Sequence, residues 1–225
     1  MKTFPNPAAL VIFDCDGVLV DSEMSANDVM ARVLSDAGLP LTGAQCRSRF
    51  VGMSMSSVRA LAEQDLNRPL PDDFEQSIQR ADAIAFEHDL KAVSGIKRVL
   101  DGIPVPVCIA SSGSPEKIAN SLRITGLAPY FEGRAFSAVQ VANGKPAPDL
   151  FLLAAQKMAT PAARCVVIED SVQGVIAATR AGMPVLGFAG ASHAVIDPEY
   201  AGRLTQAGAT AVFDDMKRLP GLLGF

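Results

Sequence analysis

Asp14 and Asp16 stand two residues apart, directly after the apolar run Ala8 to Phe13 and just before Gly17. Three further polar clusters follow: Ser111-Ser112-Gly113-Ser114 after Val105 to Ala110, Lys145 in Gly-Lys-Pro-Ala-Pro, and Glu169-Asp170 after Cys165 to Ile168. Carboxylates gathered at this density repel one another. Hard oxygen ligands suit magnesium, which offsets that charge and keeps room for water and phosphate oxygen, so Asp14, Asp16, Glu169 and Asp170 form the candidate metal set. With the ion present, one carboxylate attacks phosphorus in line while the other exchanges a proton with the leaving and attacking oxygens. Asp14 ends its strand and is the more rigidly held, which makes it the expected nucleophile. Asp16 follows in the turn, where Gly17 lets the backbone approach a phosphate, and is the expected acid/base. Ser111 with the backbone N–H groups of Ser112 and Gly113 is expected to bind the equatorial phosphoryl oxygens. Lys145 supplies a cation linking phosphate and nucleophile, in a loop stiffened by Pro146 and Pro148.

Taken singly, each of these residues has an ordinary explanation. An Asp after a strand is usually a turn or cap residue, and a lysine in a Gly-Lys-Pro turn is usually solvated. The weight rests on four clusters in order at the ends of predicted strands. Met183 to Phe188 and Ala209 to Phe213 add two more strands, and helices are predicted at Pro115 to Ile124, Pro148 to Met158 and Ser171 to Ala181. Ser114-Pro115-Glu116 and Ser171 both read as helix starts, because each serine offers an oxygen to unpaired N–H groups. Continuous apolar strands alternating with helices predict an α/β fold with a doubly wound, Rossmann-like parallel sheet, whose strand ends face one crevice.

Between Asp21 and Lys91 no buried-strand run occurs, and 3.6-residue periodicity appears around Val29-Arg32-Val33-Leu34 and Val58-Leu61-Ala62. The expected organisation is a core of residues 1–21 and 92–225 with a small all-helical cap, 22–91, inserted after the first strand as a lid.

The chain's 225 residues are ample for a sizeable core, and 20 Lys+Arg against 24 Asp+Glu leave a net charge of -4. That balance lacks the broad basic surface of a nucleic-acid binder. Cys15, Cys46, Cys108 and Cys165 are widely spaced and read as reduced, buried thiols. Lys2 is the only charged residue before Pro5 and Pro7, and the first apolar run is short, so neither a signal peptide nor a membrane span is expected. The default expectation is a cytoplasmic monomer whose partner is a small phosphorylated metabolite.

Asp14-Cys15-Asp16-Gly17-Val18, Ser111 at a strand end, Lys145 in Gly-Lys-Pro-Ala-Pro-Asp and Ile168-Glu169-Asp170-Ser171 resemble, in order and spacing, the four motifs of the haloacid dehalogenase-like phosphatases. The helical insert looks like the cap of the subgroup containing beta-phosphoglucomutase and the sugar-phosphate phosphatases. The resemblance implies that Asp14 becomes phosphorylated and that Asp16 is the general acid/base. It implies magnesium held by Asp14, the backbone carbonyl of Asp16 and Asp170, with Glu169 ligating or supporting. Dehalogenases and phosphonatases lack the second aspartate of the first motif, so Asp16 argues against both. The mutase pattern has a histidine in the first cap helix and an arginine after a glycine turn; here those places fall at Ala26 and in Gly52-Met53-Ser54-Met55. The expectation is therefore hydrolysis of a sugar or sugar-acid phosphate, with Arg49 and the loop Gly52 to Ser56, Gly52 and Ser54 in particular, near the non-phosphate end of the substrate. A phosphosugar mutase and a non-catalytic binder of a phosphorylated metabolite are the alternatives.

Overall fold

The structure is a computed structural model that describes residues 8–50 and 55–225. Gly52 and Ser54 lie outside the described residues. The chain divides into two compact units, one running through Asp21 and resuming at Lys91–Phe225, the other Ser22–Leu90.

The inserted unit is helical: α1 (Glu23–Asp36), α2 (Gly43–Phe50), α3 (Met55–Leu66) and α4 (Phe74–Asp89). Their apolar positions recur at helical spacing and close over one cluster that includes Leu34, Cys46, Phe50, Val58, Ala62, Phe74 and Ile78. Arg59 sets its guanidinium 5.4 Å from the centre of the Phe74 ring, and Glu63 accepts from the Leu70 N–H at 3.1 Å.

The other unit is built on six parallel strands in the order β3-β2-β1-β4-β5-β6. They are β1 (Leu10–Phe13), β2 (Val107–Ser111), β3 (Ala135–Ser137), β4 (Cys165–Glu169), β5 (Val185–Phe188) and β6 (Ala211–Phe213). Every residue of β1, β2, β4 and β5 is buried. A strand covered on both faces needs a continuous apolar run, which is what these four segments supply. Each fully buried Val, Leu, Ile or Phe contributes about 1.5–3 kcal/mol. Leu10 and Ile12 pack into a cluster with Phe151, Ala154, Val175 and Ala178, while Phe13, on the opposite face, meets Phe131 edge-on at 6.3 Å.

The helices of this unit are α5 (Ile96–Gly102), α6 (Pro115–Thr125), α7 (Asp149–Lys157), α8 (Val172–Arg180), α9 (Ser192–Val195), α10 (Tyr200–Gln206) and α11 (Leu219–Leu223). Two serines start the helices that flank the central strands. Ser114 accepts from the Lys117 N–H at 3.2 Å with Pro115 at the first helical position, and Ser171 accepts from the Gly174 N–H at 3.0 Å. Strand β2 begins two residues later than the apolar run beginning at Val105 predicts, because Pro106 has no N–H to donate. The edge strand β3 is not predicted from the sequence at all. It has three residues, the first of them exposed, so it leaves no apolar run. All four cysteines are buried free thiols. Burial pushes Cys108 up to about 12 and Cys165 up to about 11. No helix among the described residues is long and apolar enough to cross a membrane.

Candidate active site

In this strand order the chain crosses the sheet between β1 and β4, and an open parallel sheet binds ligands at such a switch point. Phe13 pairs in register with Ile168, so Asp14 and Glu169 emerge side by side at the carboxyl ends of the two central strands. The Asp14 N–H donates to the Ile168 carbonyl at 2.9 Å, which fixes the aspartate backbone to the sheet. Phe13 also pairs with Ile109, placing Ser111 one residue beyond the level of Asp14 on the neighbouring strand.

Lys145 joins the two acids. Its Nζ lies 2.6 Å from Asp14 Oδ1 and 2.7 Å from Glu169 Oε2, with the lysine side chain 6 % exposed. Its loop is tied down by the Ala147 N–H donating to the Gly144 carbonyl and by Arg180 donating to the Pro146 carbonyl at 3.0 Å. The Lys145 ammonium also stands 5.1 Å from the centre of the Phe151 ring. Burial alone works against the ammonium, but Asp14 and Glu169 outweigh it and hold Lys145 above its usual value. The other oxygen of Glu169, Oε1, accepts from the Ser171 N–H at 3.0 Å and from Ser171 Oγ at 2.9 Å. Residue 174 is glycine beneath this carboxylate; a Cβ there would lie 2.0 Å from Glu169 Oε2.

Asp14, Glu169 and Asp170 each offer an oxygen within 4.8 Å of the other two, and all three residues are buried. Asp14 is pushed well above the ordinary carboxylate value by burial first, then by Glu169 and Asp170, with Lys145 only partly offsetting them. Three buried carboxylates, two of them paired with one ammonium, form a net anionic cluster, and a hard dication is the chemical group that fits it. Gly17, at φ +77°, makes space for the third acid: a Cβ there would sit 1.9 Å from Asp170 Oδ2. The candidate metal set from the sequence therefore meets in space for Asp14, Glu169 and Asp170, while the carboxylate of Asp16 turns to a different partner.

That partner is Lys117, whose Nζ lies 3.0 Å from Asp16 Oδ2. Lys117 is the third residue of α6, directly after the Ser111 loop. In that loop Ser111 Oγ accepts from the Gly113 N–H at 3.1 Å, which leaves the serine proton free to be donated outward, and Ser137 Oγ donates to the Gly113 carbonyl at 2.6 Å. Asp170 has a neighbour of its own, His193, whose Nε2 is 3.2 Å from Asp170 Oδ2. Neither Lys117 nor His193 is singled out from sequence. Both had a signal: Lys117 opens the helix after a predicted strand-end loop, and His193 follows the predicted strand Met183 to Phe188.

Arg49 lies in the inserted unit, paired with Asp65 and 5.3 Å from the centre of the Phe50 ring. The Asp65 hydrogen bond holds its guanidinium above the usual value.

The site is thus a set of buried carboxylates and a bridging lysine at the switch point of a parallel α/β sheet. A family model for haloacid dehalogenase-like hydrolase matches residues 8–182, and the chain belongs to that family. It is similar to 6-phosphogluconate phosphatase of Escherichia coli, 29% identical over 81% of this chain and 83% of the relative. It is also similar to phosphorylated carbohydrates phosphatase of Thermotoga maritima, 30% identical over 90% of this chain and 92% of the relative. Among solved structures it resembles a haloacid dehalogenase-like protein of unknown function from Agrobacterium tumefaciens, with 39% identity, a TM-score of 0.86, and coverage of 96% of this chain and 98% of that one. Within the family, the class of this enzyme is phosphatase.

Proposed function

We propose that the chain hydrolyses the phosphate monoester of a sugar or sugar acid, with magnesium, through a phosphorylated Asp14. The observation that carries this reading is the Lys145 bridge, 2.6 Å to Asp14 and 2.7 Å to Glu169, at the ends of adjacent central strands. A nucleophile held by a buried cation cannot swing away, and the same cation sits where phosphoryl charge must be received.

Asp14 attacks phosphorus, the bond from phosphorus to the sugar oxygen breaks, and Asp16 gives that oxygen its proton. Asp16, now a carboxylate, then takes a proton from water as the water oxygen attacks the aspartyl-phosphate, releasing orthophosphate and restoring Asp14. Ser111 donates its hydroxyl proton to a phosphoryl oxygen, with the Ser112 backbone N–H as a further donor, while the expected Gly113 N–H donor is engaged by Ser111 Oγ and braces the loop instead. Asp14, the Asp16 backbone carbonyl and Asp170 would hold magnesium, which when bound would supply charge compensation and polarise phosphate oxygen. Glu169 has both oxygens engaged, by Lys145 and by Ser171, which favours a supporting role for it over ligation.

Sugar phosphates are the inferred substrates because relatives across most of the chain's length are phosphatases of phosphorylated carbohydrates. Arg49, Gly52 and Ser54 are inferred to help choose the leaving group. The test is phosphate release across sugar phosphates, sugar-acid phosphates, nucleotides and phosphoglycolate, with and without magnesium, on the wild type and Asp14→Asn. Magnesium-dependent release that vanishes in Asp14→Asn is expected. Turnover that survives that substitution removes Asp14 as the nucleophile.

A further inference from the structure

Asp170 is the acid of the cluster that faces a histidine. His193 is 3 % exposed, and its Nε2 lies 3.2 Å from Asp170 Oδ2 and 2.9 Å from Tyr200 Oη. The two rings meet edge-on with centres 5.2 Å apart, so Tyr200, itself buried, fixes the imidazole plane as well as contacting its nitrogen. Residue 17 completes the arrangement: a Cβ there would lie 1.9 Å from Asp170 Oδ2 and 3.1 Å from His193 Cε1. Carboxylate and imidazole thus share the space that glycine leaves open.

The segment bearing His193 is only four residues of helix, too short to hold its own position. It is anchored at its start by Ser192, whose backbone N–H donates to Asp21 at 3.3 Å and whose hydroxyl donates to the same carboxylate. At its other side stands Tyr200. The segment is thus anchored at Ser192, the edge-on Tyr200 ring limits rotation of the imidazole, and Tyr200 and Asp170 both reach its Nε2.

We propose that His193, held by Tyr200, is a positioning residue that fixes the Asp170 carboxylate in the orientation needed to bind the divalent ion. The inference rests on the proposed reading, in which Asp170 is a metal ligand. A carboxylate only accepts hydrogen bonds, so a proton on Nε2, forked between Asp170 Oδ2 and an accepting Tyr200 Oη, makes the contact favourable and removes one rotational freedom from Asp170. Partners of this kind behind a metal ligand change metal affinity by roughly 10- to 100-fold when removed.

Calorimetric titration of the metal-free protein with magnesium chloride tests this, on the wild type, His193→Phe, His193→Gln and Tyr200→Phe, beside phosphate release as a function of magnesium concentration. His193→Phe is expected to weaken magnesium binding about 10- to 100-fold, with much of the turnover returning at saturating ion. His193→Gln, which keeps an N–H donor, is expected to recover part of the affinity, and Tyr200→Phe to lose about 3- to 10-fold. A folded His193→Phe that binds magnesium as tightly as wild type overturns the proposal. Should His193→Phe fail to fold, Tyr200→Phe decides: weakened binding supports the proposal and unchanged binding overturns it. A wild-type protein that takes up no divalent ion sinks the magnesium reading itself, an outcome distinct from a wild type that binds and variants that bind equally.

Discussion

Gly17 lies against Asp170 so closely that the first carbon of any side chain at residue 17 would stand 1.9 Å from Asp170 Oδ2. The position also has φ +77°, a conformation that side-chain-bearing residues adopt only with strain. Gly17→Ala should therefore do two things: displace the Asp170 carboxylate and destabilise the fold by about 1–3 kcal/mol. Gly182 separates the two effects. It has φ +71° with no atom within 4 Å of the place a Cβ would take, so Gly182→Ala carries backbone strain without a clash. Phosphate release should fall by at least ~100-fold in Gly17→Ala and stay near wild type in Gly182→Ala, with both midpoints lowered in thermal unfolding. Equal activity in the two variants would refute the claim that the missing Cβ serves the site.

The raised Asp14 carboxyl makes stability of the metal-free protein depend on pH in a definite direction. Its ordinary value is 3.8, and burial first, then Glu169 and Asp170, push it well above that against the pull of Lys145. The folded state then binds this proton more tightly than the unfolded state, so Asp14 lowers stability as pH rises from its ordinary value through its folded one. Asp65, Glu116 and Asp197 are shifted the other way, so their contributions are lost only on acidification and are level above about pH 5. Lys145 is raised from 10.5, so its contribution persists to alkaline pH. Above about pH 5 and up to the folded value of Asp14, this proton should make the unfolding free energy of metal-free wild type fall with pH by no more than about 1.4 kcal/mol per unit, a component that Asp14→Asn lacks. Magnesium should flatten the wild-type slope, since it favours the ionised acid. Parallel slopes for wild type and Asp14→Asn would show that Asp14 is not the group responsible.

Much of this arrangement is legible before any coordinates. Leu10 to Phe13, Val107 to Ser111 and Cys165 to Glu169 are buried on both faces, and such strands must be written as unbroken apolar runs, which any reader of the sequence can find. The residues placed at their ends then share a crevice by topology alone, which is why Asp14, Glu169 and Asp170 meet. What the runs do not carry is direction beyond the strand. Asp16 leaves the sheet in a turn, and its carboxylate goes to Lys117, a contact across 101 positions that depends on where α6 begins. His193 sits on a four-residue helix anchored by Asp21, which reads from sequence as a hinge or cap residue and not as a partner of residue 192, and by Tyr200, which the sequence does not mark. Edge strand β3 is short and half open, so period and hydrophobicity are silent there.

Lys117 offers the sharpest test of Asp16 as proton donor. Its ammonium is 3.0 Å from Asp16 Oδ2, and both side chains are partly exposed, at 35% and 19%, so the pair is a weak contributor to stability and its effect should appear in turnover. An acid is needed most when the leaving oxygen is a poor one, as in an alkyl phosphate of a sugar, and hardly at all for 4-nitrophenyl phosphate. The ratio kcat/KM covers steps only up to phosphorylation of Asp14, so it isolates the half-reaction in which Asp16 donates. Lys117→Met should change kcat/KM by about 10-fold or more on the best sugar phosphate, downward if the lysine chiefly holds Asp16 in place and upward if it chiefly keeps Asp16 ionised, and by less than about 3-fold on 4-nitrophenyl phosphate, with Lys117→Arg restoring part of the difference. A uniform loss on both substrates would instead place Lys117 with the phosphate-binding loop, since every monoester presents the same phosphoryl group whatever its leaving oxygen.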